Sequence, residues 1–350
     1  MTGMPREWGI NTVYAGGGHV VILGAGASIA STTRNPEAKG KVLPSMNNFI
    51  SVVGLQDIVE SLPVELRAEN FETLYSKLHA DNPESKEIIE IERRVNDYFK
   101  EMKLPDEPTI YDYLILSLRS KDCIATFNWD PFLYQAYCRN ARFVRDLPYF
   151  LFLHGNVAIG YNKILKKPGP AGFTHRESST IYEPTRLLFP VTQKDYNQDE
   201  FTKNEWENLK GWLESDTIKR ITIFGYGAPA TDVEAVKLLD DAWGTPGERN
   251  MEQVEIIDIR PENEVREQWD SFIYSHHYDY ASDYFGSVLA HHPRRTSESW
   301  FHHYLPNSPA EAFMESNPVP QNFKTIEEMW QWFRPLIIAE ENAESEQKKS

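Results

Sequence analysis

HVVILGAGAS, His19 to Ser28, runs from an apolar stretch into two glycines, Gly24 and Gly26. A short apolar run stopped by glycine reads as a buried strand, and the residues after the glycines as the start of a helix. Glycine lets a backbone approach a pyrophosphate, and a helix N-terminus offers N–H groups and the positive end of a dipole. Gly24, Ala25, Gly26 and Ser28 are therefore candidate dinucleotide ligands, with the Ser28 hydroxyl as a further donor. The third glycine of a full GxGxxG is absent, and a plain tight turn would use the same residues.

Working outward, the pattern repeats. DCIATFN (Asp122 to Asn128), RITIF (Arg220 to Phe224) and QVEIIDI (Gln253 to Ile259) read as further buried strands. A shorter apolar run, Leu151 to Leu153, leads into His154-Gly155. Helical spacing occupies 46–60, much of 64–103 with Phe71, Leu74, Leu78, Ile88, Ile89, Ile91, Val95 and Phe99, then Thr109 to Arg119, Asn204 to Ser215 and Asp232 to Trp243. The expected fold is α/β: a doubly wound, parallel, Rossmann-like sheet with a helical insertion near 64–108. Residues 1–18 read as a loosely held arm, 19–295 as the catalytic domain, 296–338 as a C-terminal helical extension and 339–350 as a charged, disordered tail. The stretch 160–179, rich in Gly, Pro and Lys, reads as a surface loop or small insertion.

The formal net charge is −16, which argues against phosphate-backbone binding over the whole surface. A solvated loop explains the basic cluster Lys163 to Lys167 at least as well as nucleic-acid contact, and no direct nucleic-acid binding is expected. No run of about 18 apolar residues predicts a membrane span, and the N-terminus lacks the apolar core of a signal peptide. The two cysteines, Cys123 and Cys138, form no CxxC pair, so neither a disulfide framework nor a zinc site is expected, and the setting is read as cytoplasmic. The pairs His276-His277, His291-His292 and His302-His303 are poor chelates, because neighbours on an extended chain point apart.

In parallel sheets the chemistry gathers beyond the carboxyl ends of the strands. Thr126 to Asp130 (TFNWD) falls at such an end; Asn128 offers donors and an acceptor, and Asp130 either orients it or makes the turn before Pro131. His154 is a candidate general base, or a satisfied structural histidine. Gly225-Tyr226-Gly227 is a second strand–glycine turn, suited to phosphate or ribose; Tyr226 would stack or simply pack, and Asp232 would cap the next helix. Asp258 can accept from ribose hydroxyls or cap a strand end.

GAGAS, then T-x-N-x-D, then LHG, then GYG, in that order, resembles the sirtuin-like family over about residues 19 to 290. The resemblance implies that Gly24, Ala25, Gly26, Ser28, Thr126, Gly225, Tyr226, Gly227 and Asp258 contact NAD. It makes Asn128, His154 and Asp130 catalytic, with His154 as base. At Asp258 the family usually has Asn. The four zinc cysteines of protein-deacylating sirtuins are absent after His154, and ASTTRNPEAKGKVLPS stands where they carry a GIPDFR-like segment. The pattern is similar to that of bacterial sirtuin-like NAD hydrolases of antiphage defence, and NFETLYSKL, Asn70 to Leu78, is similar to a helical insertion of that group. This implies NAD as substrate, no zinc, a homo-oligomer and an activating partner such as a HerA-like ATPase or an Argonaute-type protein. The competing expectations are an NAD-dependent deacylase or ADP-ribosyl transferase, a non-catalytic NAD or ADP-ribose sensor, and a scaffold within a larger assembly.

Overall fold

A computed structural model shows the opening apolar run as strand β1 (Gly18–Leu23). Its successive side chains enter different cores: Val20 and Ile22 one, Val21 and Leu23 the other. A strand covered on both faces needs apolar residues at successive positions, so no polar alternation survives there. The structure describes the chain apart from residues 1–5, 33–40, 192–198, 228–231, 245–251, 271, 274–277, 305–315 and 350. The His276-His277 pair and Ala228 to Thr231 therefore lie outside the described residues.

The other strands are β2 (Cys123–Thr126), β3 (Tyr149–Phe152), β4 (Ile159–Asn162), β5 (Lys167–Pro170), β6 (Glu183–Pro184), β7 (Ile218–Phe224), β8 (Gln253–Ile257) and β9 (Tyr278–Ala281). Six of them form one sheet in the order β3-β2-β1-β7-β8-β9, parallel throughout. This is the expected α/β Rossmann-like class. The stretch 160–179, read as a surface loop or small insertion, contributes to a small antiparallel sheet, β5-β4-β6. Lys163 and Lys166 pair there with Glu183 and Glu200 at 2.6 and 3.1 Å.

The helices are α1 (Arg6–Asn11), α2 (Ala25–Thr32), α3 (Phe49–Val53), α4 (Gln56–Ser61), α5 (Phe71–Asp81), α6 (Lys86–Lys100), α7 (Ile110–Leu116), α8 (Phe132–Asn140), α9 (Glu200–Leu213), α10 (Val233–Trp243), α11 (Glu262–Trp269), α12 (Val288–His291), α13 (Thr296–Tyr304) and α14 (Ile326–Gln347). Trp206 and Leu209 of α9, Leu239 of α10 and Trp269 of α11 cover the Val20 face. Ala27 of α2, Leu114 of α7 and Phe333 of α14 cover the Val21 face. The sheet is thus doubly wound.

In the insertion, Asn70 and Ser85 cap α5 and α6 by accepting from the amides of Thr73 and Ile88. Ile88, Ile91, Val95 and Phe99 form the buried stripe of α6, while Ile89 is 61% exposed because it falls a third of a turn off that stripe. At the chain's end α14 continues to Gln347, well past the expected start of a disordered tail. Glu340 is buried there and paired with both Arg294 and Arg295, which anchors the helix at that point because breaking a buried pair is strongly destabilising. Arg295 also donates to the Ile10 carbonyl at 2.8 Å, which ties down the N-terminal arm.

Candidate functional site

β1 has β2 on one side and β7 on the other, so the chain leaves it in two lateral directions. Such a switch point opens a crevice beyond the strand ends. Both glycine turns stand there and touch. The Gly26 amide donates to the Gly225 carbonyl and the Gly24 amide to that of Phe224, each at 3.0 Å. A Cβ on Gly24 would lie 2.5 Å from the Gly225 oxygen, and one on Gly225 (φ 61°) would lie 2.5 Å from the Ala27 nitrogen. These glycines are required first by the close approach of two turns. α2 begins at Ala25. Its Gly26 and Ala27 amides donate to Gly225 and Gly24, whereas the Ala25 amide donates to no group among the described residues.

The end of β2 is stitched to the β1 turn. Thr126 Oγ1 accepts from the Asn128 amide at 3.0 Å. Asn128 Nδ2 reaches the Gly24 carbonyl at 2.8 Å, Ser28 Oγ at 3.0 Å and the Tyr111 hydroxyl at 3.2 Å. A carbonyl only accepts, so the nitrogen end of the amide must face Gly24. Asn128 Oδ1 then has no hydrogen-bond partner among the described residues. Ser28 donates to Asp130 Oδ2 at 2.6 Å, and its oxygen also lies 2.6 Å from the Tyr111 hydroxyl. Asp130 thus orients Asn128 through Ser28. Burial pushes the Asp130 carboxyl up to about 6, against the bonds from Ser28 and the Phe132 amide. Asn156 Nδ2 closes the loop from below, on the carbonyls of Asn128 (3.1 Å) and Asp130 (2.7 Å).

His154 follows β3. Gly155 turns the chain beneath it at φ 73°, where any Cβ would meet the Arg186 carbonyl at 2.0 Å. His154 Nε2 stands 3.5 Å from Asp232 Oδ2, with both side chains buried. Asp232, read as a helix cap, makes no side-chain cap bond to α10. Phe127 sets the ring orientation: His154 meets it edge-on at 4.7 Å, and Tyr226 stacks on it at 4.1 Å. Tyr226 therefore packs, and its buried hydroxyl has no hydrogen-bond partner among the described residues.

A cavity of about 430 Å³ opens over these turns, within the range of roughly 300–1,000 Å³ usual for small-molecule sites. Of the residues singled out in the sequence, Gly24, Ala25, Ser28, Asn128, Asp130, His154, Gly225, Tyr226 and Gly227 line it. Gly26, Thr126 and Asp258 are not in its wall. Gly26 and Thr126 act behind it, on Gly225 and Asn128. Asp258 is engaged by Arg260, which holds it below the ordinary carboxylate range although burial pushes the other way. The side chain at the wall is Arg260.

Several site residues escaped sequence reading. Asp232 was hidden by its cap-like position, and Tyr111 sits in an apolar helix with nothing to mark it. Asn156 stood two residues past His154, in the same turn, and was legible. The far wall has Phe49 and Phe99, from helices whose apolar residues read simply as core, and Trp129 from the turn after β2.

No protein-family model matches the chain, and no curated protein matches it. Solved structures do. A Sir2 in complex with an inhibitor, 2′-O-acetyl-ADP-ribose and a deacetylated p53 peptide is 13% identical, covering 80% of this chain and 93% of that one, with a TM-score of 0.38. A Sir2 homolog–NAD complex is 12% identical over 84% and 93%, with a TM-score of 0.40. A mutant Sir2 homologue holding 2′-O-acetyl ADP ribose is 13% identical over 85% and 98%, with a TM-score of 0.41. Likenesses this loose assign no activity.

Proposed function

We propose that this chain is a sirtuin-like enzyme that breaks the bond between nicotinamide and ribose in NAD, releasing nicotinamide and ADP-ribose or a cyclised form of it. The observation that carries this reading is the meeting of two glycine turns at the sheet's switch point, with Asn128 and His154 both in the wall of the cavity above them. The diphosphate would lie at the start of α2, on the Ala25 amide. The nicotinamide-bearing ribose would lie between Asn128 Oδ1 and His154. As the bond to C1′ breaks, its electron pair passes to the pyridinium nitrogen, so nicotinamide departs neutral and needs no strong acid. An oxocarbenium-like carbon remains, as at other glycosidic centres. Water adds to it and gives a proton to His154; Asp232 beside the imidazole stabilises the cation that forms. The aromatic far wall excludes bulk water.

The motif resemblance supports a role as an effector of bacterial antiphage defence that acts by depleting NAD in the cytoplasm. Free NAD loss would harm the host, so the reading includes low activity until an oligomer forms or a partner such as a HerA-like ATPase engages. No zinc is expected to take part. The test is incubation of the purified chain with NAD, alone and with the product of a neighbouring gene, with chromatography of the products. Equimolar nicotinamide and ADP-ribose support the reading; intact NAD in both conditions overturns it.

One observation favours a non-catalytic sensor instead: both protons of the Asn128 amide are already committed to Gly24, Ser28 and Tyr111. That reading expects tight NAD or ADP-ribose binding without nicotinamide release. A deacylase or ADP-ribosyl transferase would consume NAD only with an acceptor present.

A further inference from the structure

Beyond β8 the cavity wall carries a cation that the reaction above does not use. Arg260 follows β8 and lines the cavity together with Gln268 of α11. Its guanidinium is held in place. Nε and one terminal nitrogen lie 3.0 and 2.7 Å from the two Asp258 oxygens, and the other terminal nitrogen donates to Gln268 Oε1 at 3.1 Å. The turn behind it is braced as well: the Tyr280 hydroxyl lies 2.9 and 2.6 Å from the carbonyls of Asp258 and Arg260. On the cavity side stands Gly227, where a Cβ would come within 3.0 Å of both terminal nitrogens. The lack of a side chain at Gly227 is what lets the cavity reach the guanidinium.

The hydrogen-bonding sense of this corner is specific. A free ribose diol is gripped by an acceptor, typically an acid past the second strand. Here the acid's Oδ1 already accepts from the Arg260 amide (2.9 Å) and Nε, and Oδ2 from a terminal nitrogen. The wall offers donors instead. A guanidinium has five N–H groups, and the bonds above use three. Gln268 must turn Oε1 toward Arg260, which only donates, so its amide nitrogen projects the other way. Fixed planar donors suit the oxygens of a phosphate. This corner is two strands from the start of α2, β1 to β7 to β8, which at about 4.8 Å per strand is roughly 10 Å. The anion taken here is therefore separate from the diphosphate.

We propose that Arg260 and Gln268 form a second phosphate subsite, so that the preferred substrate class is the dinucleotide phosphorylated on its adenosine ribose, NADP, over NAD. The proposal rests on the NAD-cleavage reading for its orientation of the ligand. It is tested by measuring nicotinamide release from NADP and NAD by the full chain, with its activating partner if one is needed, and by titrating the same chain with ADP-ribose and 2′-phospho-ADP-ribose, which requires no turnover. The expected results are a kcat/KM at least about tenfold higher for NADP, tighter binding of the phosphorylated ligand, and loss of most of that ratio in Arg260→Gln. Equal or better use of NAD, with a ratio that Arg260→Gln does not move, overturns the subsite and leaves cleavage standing. Tighter binding of 2′-phospho-ADP-ribose with neither dinucleotide cleaved supports the subsite and removes the catalytic reading.

Discussion

The side chain of Asn128 donates to the carbonyl oxygen of Gly24 at 2.8 Å, joining the ends of neighbouring strands. The residue that the motif marks as catalytic is thus also a structural tie between β2 and the glycine turn of β1. Its two ends divide the work: the nitrogen holds the turns together, and Oδ1 is left for the cavity. Asn128→Ala removes both. We expect a stability loss of about 0.5–1.5 kcal/mol, because the Gly24 carbonyl keeps only the Ala27 amide and Ser28 and Tyr111 lose a donor, and at least a hundredfold fall in nicotinamide release. Thermal denaturation and product chromatography on one preparation check both; wild-type values in the two assays would remove Asn128 from the site.

The glycines make a second prediction, with an internal control. Gly24→Ala puts a methyl 2.5 Å from both the Gly225 oxygen and the Tyr226 Cα. Backbone must move, so the crevice widens, Tm falls and nucleotide affinity drops by about tenfold or more. Gly211→Ala on α9 meets nothing within 4 Å. It is expected to raise stability by about 0.5–1 kcal/mol through helix propensity and to leave affinity unchanged. Calorimetric titration with ADP-ribose separates the two; equal affinities would show that turn contact does not shape the site.

A third prediction concerns His154 and Asp232, whose Nε2 and Oδ2 are 3.5 Å apart. His154→Ala should lower kcat by about 10² to 10⁴, the usual worth of a general base. Asp232→Asn keeps volume and removes charge. It should lower kcat with little change in KM, and Asp232→Glu should restore part of the loss. An unchanged kcat in Asp232→Asn would reduce the aspartate to packing.

The sequence made β1, β2, β7 and β8 legible because buried parallel strands are apolar at successive positions and end in glycine or polar turns. β9 was not, since Tyr278 to Ala281 reads YDYA, a partly exposed edge strand with an acid inside it. The position of the motif residues along the sheet is legible because they fall at strand ends. What periodicity cannot supply is lateral order. That β7 returns beside β1, bringing Gly225 onto Gly26 and Arg260 toward the cavity, depends on crossover connections. At Asp258 the strand end is legible in the sequence, but the claim of Arg260, two residues later, on its carboxylate is not.

The fourth prediction is a pH dependence of stability set by buried carboxyls. Glu205 on α9 is 3% exposed and accepts from the Phe152 amide at 2.6 Å. Burial pushes it from an ordinary 4.5 up to about 7, against that hydrogen bond. Glu255 is likewise pushed up to about 7 and Asp130 to about 6, burial again being the main cause. For a group raised in the folded state, the native chain keeps a proton that the unfolded chain has released. Between the unfolded and folded values, stability must therefore fall as pH rises, and it flattens above the folded value. Carboxyls lowered in the folded state despite burial, Asp146 by Ser120 and then Arg294, and Glu340 by Arg294 and Arg295, act in the opposite sense but only in more acidic solution, below the ordinary carboxylate range. Buried His19 and His292, lowered in the folded state, act in the opposite sense within this window, so the carboxyls' share of the drop in Tm from pH 5 to pH 8 is read by substitution. In Glu205→Gln the amide oxygen still accepts from Phe152 and no charge has to be buried, so the drop between the two pH values should shrink, mostly by a gain at pH 8. The same drop in wild type and Glu205→Gln would mean that the native chain does not hold the Glu205 proton.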